Sequence, residues 1–238
     1  MNDPITGLPI GSPVDPSPAE RPRRCTIEGR YVTLAPLDPP AHADALWERA
    51  ARPRNDRLWV YLFNGPFHDR AAFDADLAVK AASQDPLFFS ILDKDSQSPT
   101  GYAAFLRIEP VHRCIEVGSI LYTPALQRTR GATEAMYLMA RHVFDELGYR
   151  RYEWKCDALN TPSRRSALRL GFSFEGIFRQ HMIVKGRNRD TAWYAMLDSE
   201  WPARKDAFER WLHPSNFDAD GAQKFPLSTF NSGPIGVA

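Results

Sequence analysis

In the stretch QRTRGATEA, Gln127 to Ala135, two arginines and a glycine stand at the mouth of a long helical pattern. A helix N-terminus leaves about four backbone N–H groups without intrahelical partners and carries roughly half a positive charge, so a loop entering one is a ready anion site. Arg128 and Arg130 would add charge there and Gly131 would let a ligand approach the backbone, which makes phosphate the expected guest. The plainer reading is a turn glycine flanked by two solvated arginines. No G-x-x-x-x-G-K-[ST] loop is present and no G-x-G-x-x-G follows a strand, so those nucleotide loops are excluded. Glu116, in CIEVGSILY, is an acid inside an apolar strand, alternating onto one face with Cys114, Gly118 and Ile120. It reads either as a working carboxylate or as a structural one paired with Arg113 or Arg107. The stretch LWVYLFNGPF, 58–67, gathers Trp59, Tyr61, Phe63 and Phe67 around a Gly65-Pro66 turn, as a pocket wall or as core. KGRNRD, 185–190, is most simply a polar hairpin turn, although Arg187 or Arg189 could reach a carboxylate. No spacing supports Cys114 or Cys156 as a nucleophile with His142 or His181 as its base; buried small apolar residues explain these cysteines better.

The elements that must position these residues follow from periodicity and caps. Strands are expected at Gly29–Leu34, Leu87–Asp93, Gly101–Glu109, Cys114–Tyr122 and Arg151–Asp157, with a hairpin of Phe172–Val184 and Thr191–Leu197 turning through KGRNRD. Helices are expected from Asp38 to about Ala50, with Pro53 as the stop, and from Arg70 to Ala82. Another runs from Gly131 through Leu147 to the stop Gly148. A further helix starts with Thr161 as cap and Pro162 as first position and closes at Gly171, and a last one carries Trp201, Phe208, Trp211 and Leu212. The order β-α-α-β-β-β-α-β-α-β-β is neither doubly wound nor a barrel; it predicts an α/β (α+β) domain with a mixed, mostly antiparallel sheet. Six prolines in residues 1–24 mark an arm over 1–28, the domain occupies 29–212, and 213–238 reads as a tail.

The 238 residues suit one domain with a sizeable core. Thirty Lys and Arg against 29 Asp and Glu give a net charge of +1, so there is no electrostatic case for nucleic acid or an anionic membrane as partner. Three scattered cysteines match neither a disulfide framework nor a zinc site, and no metal is expected. The N-terminus does not read as a signal peptide and no apolar run is of membrane-spanning length, so a cytoplasmic setting is expected.

Strand, R-x-x-G-x-T, helix, strand, then N-x-x-S and R-L-G-F together resemble the acyl-coenzyme-A core of GNAT-family N-acetyltransferases. Arg128-Thr129-Arg130-Gly131-Ala132-Thr133 is similar to that family's [QR]-x-x-G-x-[GA], with Thr133 in place of the final small residue. NTPSRRSALRLGF, Asn160 to Phe172, is similar to its N-x-x-[AS]...K-x-G-F segment, with Arg169 at the basic position. Paired N-terminal helices and the ending EGIFRQHMIVKGRNRDTAWYAMLDSEWP look most like the RimJ/RimL-type branch, over residues 29 to 212.

The resemblance implies a GNAT fold of about seven strands with splayed central strands holding acetyl-CoA as co-substrate. Its pyrophosphate would lie on the amides of Arg128, Thr129, Arg130, Gly131, Ala132 and Thr133, next to Gln127. Its pantetheine arm would run between strands 114–122 and 151–157 along Ile120, Leu121 and Tyr122, with Asn160 and Ser163 contacting it. An acyl acceptor must be a neutral amine, and a lysine-like amine of pKa ~10.4 is mostly protonated at pH 7, so Glu116 is the expected base. Resemblance adds a backbone N–H near this strand polarising the carbonyl. Many relatives carry a tyrosine in the helix after the Asn motif to protonate the departing thiolate; here Ala167 stands at that spacing, and Tyr122 is a weak substitute. The aromatic loop, with Trp59, Tyr61 and Phe63, borders the acceptor mouth in this fold. The implied activity is acetyl transfer to a primary amine of a small molecule, amino acid or peptide, by a monomer or homodimer. A protein N-terminal acetyltransferase and a non-catalytic acyl-CoA sensor are the alternatives, and the near-neutral charge favours small acceptors over ribosomal particles.

Overall fold

Alternation along Arg151–Asp157 buries Tyr152, Trp154 and Cys156 on one side, and the same rule builds one mixed sheet. In the computed structural model, which describes residues 1–51 and 53–231, the strands are β1 (Ile27–Glu28), β2 (Val32–Pro36), β3 (Leu87–Asp93), β4 (Pro99–Glu109), β5 (Cys114–Tyr122), β6 (Arg151–Asp157), β7 (Ser173–Val184) and β8 (Arg187–Leu197). They lie in the order β1-β2-β3-β4-β5-β6-β8-β7, antiparallel everywhere except the β5/β6 pair. Helices α1 (Pro39–Ala50) and α2 (Arg70–Ala82) cover one core with β3, β4 and the end of β5. Helices α3 (Arg130–Arg141), α4 (Thr161–Arg169) and α5 (Trp201–Leu212) cover a second core on the opposite face. No helix among the described residues is long and apolar enough to cross a membrane.

Several boundaries move, each for a local reason. The strand expected from Gly29 begins at Val32, as β2, because the amides of Arg30, Tyr31 and Val32 all donate to the buried carboxylate of Glu134, at 2.9, 2.6 and 2.9 Å, which folds residues 29–31 into a turn docked on α3. The helix expected as far as Leu147 is α-helical only to Arg141; His142–Glu146 form a wider π turn before Gly148, at φ +73°, ends it. Asn160, not Thr161, caps α4, its Oδ1 accepting the Ser163 amide at 3.2 Å, so Thr161 and Pro162 are the first two helical residues. The hairpin turn is Lys185-Gly186 alone, both at positive φ, and Arg187–Asp190 extend β8 rather than forming a loop.

The flanking segments lie on the domain. Ala19 and Glu20 donate to the carbonyls of Pro110 and Leu147, at 3.0 and 3.1 Å. Beyond α5, Phe217 and Leu227 join the second core, the latter from the short α6 (Leu227–Phe230), and the Asn231 carbonyl accepts from Arg204 at 2.8 Å. The last seven residues of the expected tail lie outside the described residues.

Candidate active site

β5 and β6 run side by side only from Cys114↔Arg151 to Val117↔Trp154, although β5 continues to Tyr122 and β6 to Asp157. The cause is on β5: one extra residue opposite β4, with Ser119 at φ +49°, makes a bulge that bends the strand away from its parallel neighbour. The bulge also resets the alternation. Ile115 and Val117 face the α3 side, Glu116 faces the other, and past Ser119 it is Ile120 and Tyr122 that pack on the α3 side while Leu121 enters the α1–α2 core. Ile120 therefore does not share a face with Glu116, contrary to the simple period of two. Beyond Val117 the edge of β5 facing β6 has no strand partner among the described residues, so the two strands diverge and leave a wedge-shaped opening.

The loop 127–129 and the first turn of α3 follow the end of β5. Thr129 caps α3, accepting the Ala132 amide at 3.1 Å, whereas the amides of Arg130 and Gly131 make no hydrogen bond to the described residues. Gln127 donates to the Tyr122 carbonyl at 2.8 Å. Arg128, at φ +63°, is exposed. Arg130 takes a different job: its guanidinium lies 4.8 Å from the Tyr31 ring and 4.7 Å from the Phe217 ring, a clamp between the β2 turn and the segment after α5. A Cβ on Gly131 would sit 2.7 Å from Val32 Cγ1, so this glycine is needed to seat α3 on β2 as well as to open the backbone. Thr133 is buried and accepts from Arg169 Nη1 at 3.0 Å, which puts the threonine hydroxyl and the basic residue of the second motif in one contact.

Across the opening, Ser163 Oγ accepts from Trp154 Nε1 at 3.0 Å, which fixes α4 to β6. Ala167 is fully buried. Tyr122 donates to the Ala132 carbonyl at 2.9 Å and burial drives its phenol well above the ordinary range, so its hydroxyl is committed to packing α3. All three cysteine thiols are pushed up, foremost by burial, so none is an activated thiolate.

Glu116 has a side chain only 6% exposed, with Oε2 3.0 Å from both Arg107 Nε and Lys155 Nζ. Arg113 is not its partner, turning instead to the Gly148 carbonyl. Burial raises the Glu116 carboxyl above the usual range, while Lys155 and then Arg107 pull it back. Lys155 also pairs with Glu153 Oε2 at 2.5 Å and lies 3.9 Å from the Trp193 ring centre. Alternation on β6 placed Lys155 on this face, but only the parallel register, Glu116 opposite Glu153, reveals it as Glu116's neighbour.

Of the three aromatic residues expected at the acceptor side, Trp59 is core rather than wall. It has no exposed surface, donates to the Ala50 carbonyl at 2.9 Å and packs edge-on against Phe67 and Phe73. Tyr61 and Phe63 are 37% and 47% exposed. Their loop is held toward the open half of the sheet by three contacts: Tyr61 OH to the Leu159 carbonyl, 3.2 Å; Lys185 Nζ to the Trp59 carbonyl, 2.7 Å; and the Arg189 guanidinium 5.3 Å from the Phe63 ring centre.

Comparison with known proteins gives the same frame. Residues 32–173 match the family model of the acetyltransferase (GNAT) domain. A GCN5-related N-acetyltransferase from Brucella melitensis superposes with a TM-score of 0.89 and 50% identity, covering 90% of this chain and 97% of that one. An uncharacterized N-acetyltransferase of Bacillus subtilis, YnaD, is 29% identical over 114 residues, 48% of this chain and 65% of that protein. The ribosomal-protein-serine acetyltransferase of Escherichia coli is 31% identical over 101 residues, covering 42% of this chain and 56% of that protein. The matched region thus spans under two thirds of these two curated relatives.

Proposed function

The chain belongs to the GNAT acetyltransferase family, and from that premise we propose that it moves an acetyl group from acetyl-CoA to a primary amine by direct attack. The observation that carries the reading is the wedge between β5 and β6, unpaired beyond Val117 and bordered by the first turn of α3. A slender thioester arm fits such an opening because the unpaired strand edge offers backbone groups to its amides, while the free amides of Arg130 and Gly131, with exposed Arg128, suit its pyrophosphate. Asn160 and Ser163 border the same opening from α4, and Gln127, Thr129, Ala132 and Thr133 shape the turn.

Acetyl-CoA, when bound, supplies the acyl donor. Glu116 takes the ammonium proton, directly or through water, so that the neutral nitrogen attacks the carbonyl; the new C–N bond forms as the C–S bond breaks, the thiolate leaves, and the second proton lost by the nitrogen passes to the thiolate or to solvent. A thiolate of parent pKa ~8.5 is a tolerable leaving group without a dedicated acid, which suits a chain with Ala167 where relatives carry tyrosine. Arg107 and Lys155 hold Glu116 and keep its charge compensated. The test is thiol release from acetyl-CoA in the presence of amines, amino acids and short peptides. Release with at least one amine supports the reading; binding of acetyl-CoA with no release for any amine would turn it into an acyl-CoA sensor. The likeness to a ribosomal-protein-serine acetyltransferase favours a rival acceptor, a protein N-terminal amine, and a peptide beginning with serine belongs in the same screen.

The α4 cap separates binding from folding. Asn160→Ala is expected to raise the KM for acetyl-CoA more than that for the amine. A fall in stability of about 1 kcal/mol, the worth of a cap, with both constants unchanged, would reduce Asn160 to a structural residue.

A further inference from the structure

Among the mostly buried cations on the Glu116 face of the sheet, Arg189 stands apart. Lys155 is balanced by Glu116 and Glu153, and Arg151 by Glu153 and Glu175. Arg189 is 7% exposed, yet no carboxylate of the described residues lies within ion-pair distance of it. Its Nε donates to Thr191 Oγ1 at 3.2 Å and its plane is backed by the Phe63 ring, which fixes the guanidinium. The two terminal nitrogens make no hydrogen bond to the described residues and are not sealed from solvent. A guanidinium held this way, with its fork left open, is arranged to receive an anion, since an uncompensated buried charge costs free energy that a bidentate oxyanion offsets.

Its place matters as much as its state. Thr191, which anchors it, pairs with Asp157 at the end of β6, two residues from Lys155. Arg189 feels the charges of both Asp157 and Glu116, and His181, bound to the same Thr191 hydroxyl at 2.9 Å, feels Arg107, Arg189 and Lys155. Trp193, whose ring centre is 3.9 Å from Lys155 Nζ, Thr191 and Arg189 alternate onto one side of β8, so Arg189 lies on the face of the sheet that carries Lys155 and Glu116 and adds a positive charge to it with no ion pair of its own. The exposed Phe63 ring lies against it, and Tyr61 stands two residues away in the same loop.

We propose that the acceptor carries an oxyanion on the same molecule as its amine, a carboxylate or a phosphate-class group, and that Arg189 binds it while the amine faces Glu116. This rests on the acetyl-transfer reading above. It assigns the acceptor to amino acids and related anionic amines rather than to polyamines.

The experiment compares matched acceptors in the thiol-release assay: an amino acid, its methyl ester, the decarboxylated amine and the aminoalkyl phosphonate. The anionic member is expected to exceed the ester in kcat/KM by ~30-fold or more, as for a desolvated charge pair. That preference should collapse to a few-fold in Arg189→Gln, which keeps a donor toward Thr191, and be partly retained in Arg189→Lys. Preference for carboxylate or for phosphonate identifies the source of the oxyanion. Thiol release at equal rates from acid and ester would overturn the proposal and leave the transferase reading standing. Calorimetric titration of the N-acetyl amino acid onto the CoA-bound protein reads the subsite without turnover: saturable binding in the wild type, lost in Arg189→Gln of unchanged Tm, supports it, and no binding to the wild type overturns it. Phe63→Leu, which keeps the guanidinium but removes the ring that backs it, should weaken this binding by a few-fold; it covers the case in which Arg189→Gln fails to fold, and unchanged binding there would overturn the proposal.

Discussion

Glu116→Gln is expected to lower turnover by ~10²- to 10⁴-fold at neutral pH while acetyl-CoA still binds, the range general-base catalysis supplies. The deficit should shrink as pH rises toward the pKa of the amine, because a nitrogen already neutral needs no base. Folding should survive the change. Burial raises the Glu116 carboxyl, so its ionised form in the fold costs stability above the ordinary carboxylate pKa and costs nothing below it. Glutamine removes that cost at neutral pH, and Lys155 keeps Glu153 as a partner. Activity profiles from pH 6 to 10 on both proteins, with a melting curve for each, make the test. A variant with full activity at every pH would place the base elsewhere, and one that loses stability and activity together without recovery in alkali would make Glu116 a structural carboxylate.

Glu134→Ala should cost about 3–5 kcal/mol of stability, since three backbone N–H groups lose their acceptor and each unsatisfied donor costs ~1–3 kcal/mol. Glu134 lies in the same first turns of α3 that follow Gly131, and it fastens them to the β2 turn. A Cβ on Gly29 would come within 2.6 Å of its Oε2, so the turn is shaped around the carboxylate. Urea unfolding measures the loss, and Glu134→Gln, which keeps one acceptor oxygen, should fall between. Acetyl-CoA affinity should weaken as well, because the anion-binding turn is positioned by this contact. A loss under ~1 kcal/mol for Glu134→Ala would mean that water replaces the carboxylate.

Local signals carried much of this in the sequence. α2, β3, β5 and β6 begin and end where the apolar pattern and flanking turn residues put them, because each is bounded by unambiguous stops. The two motif segments fall on either side of one opening, Thr133 meeting Arg169 across it. What was hidden depends on partners distant in sequence. The bulge at Ser119 is signalled only by the adjacent Gly118, an isolated strand glycine that plain alternation ignores, and so a period of two puts Ile120 on the wrong face. Arg130 looks like a phosphate ligand until Phe217, 87 residues later, is seen against it. Trp59 and Phe63 sit four residues apart in one aromatic loop, and only the packing of Phe67 and Phe73 on one and Arg189 on the other sends them to core and site respectively. Lys155 becomes part of the Glu116 site only through the parallel β5/β6 register.

The proposed function depends first on acetyl-CoA binding in the wedge between β5 and β6 at the α3 turn. The direct measurement is thermal unfolding of the wild-type protein against increasing acetyl-CoA. At 100 times its Kd the ligand should add about 2.7 kcal/mol to folding, seen as a melting temperature that climbs with concentration. A bulky residue in place of Gly131 should blunt that climb. A melting temperature that does not move at millimolar acetyl-CoA would contradict the claim.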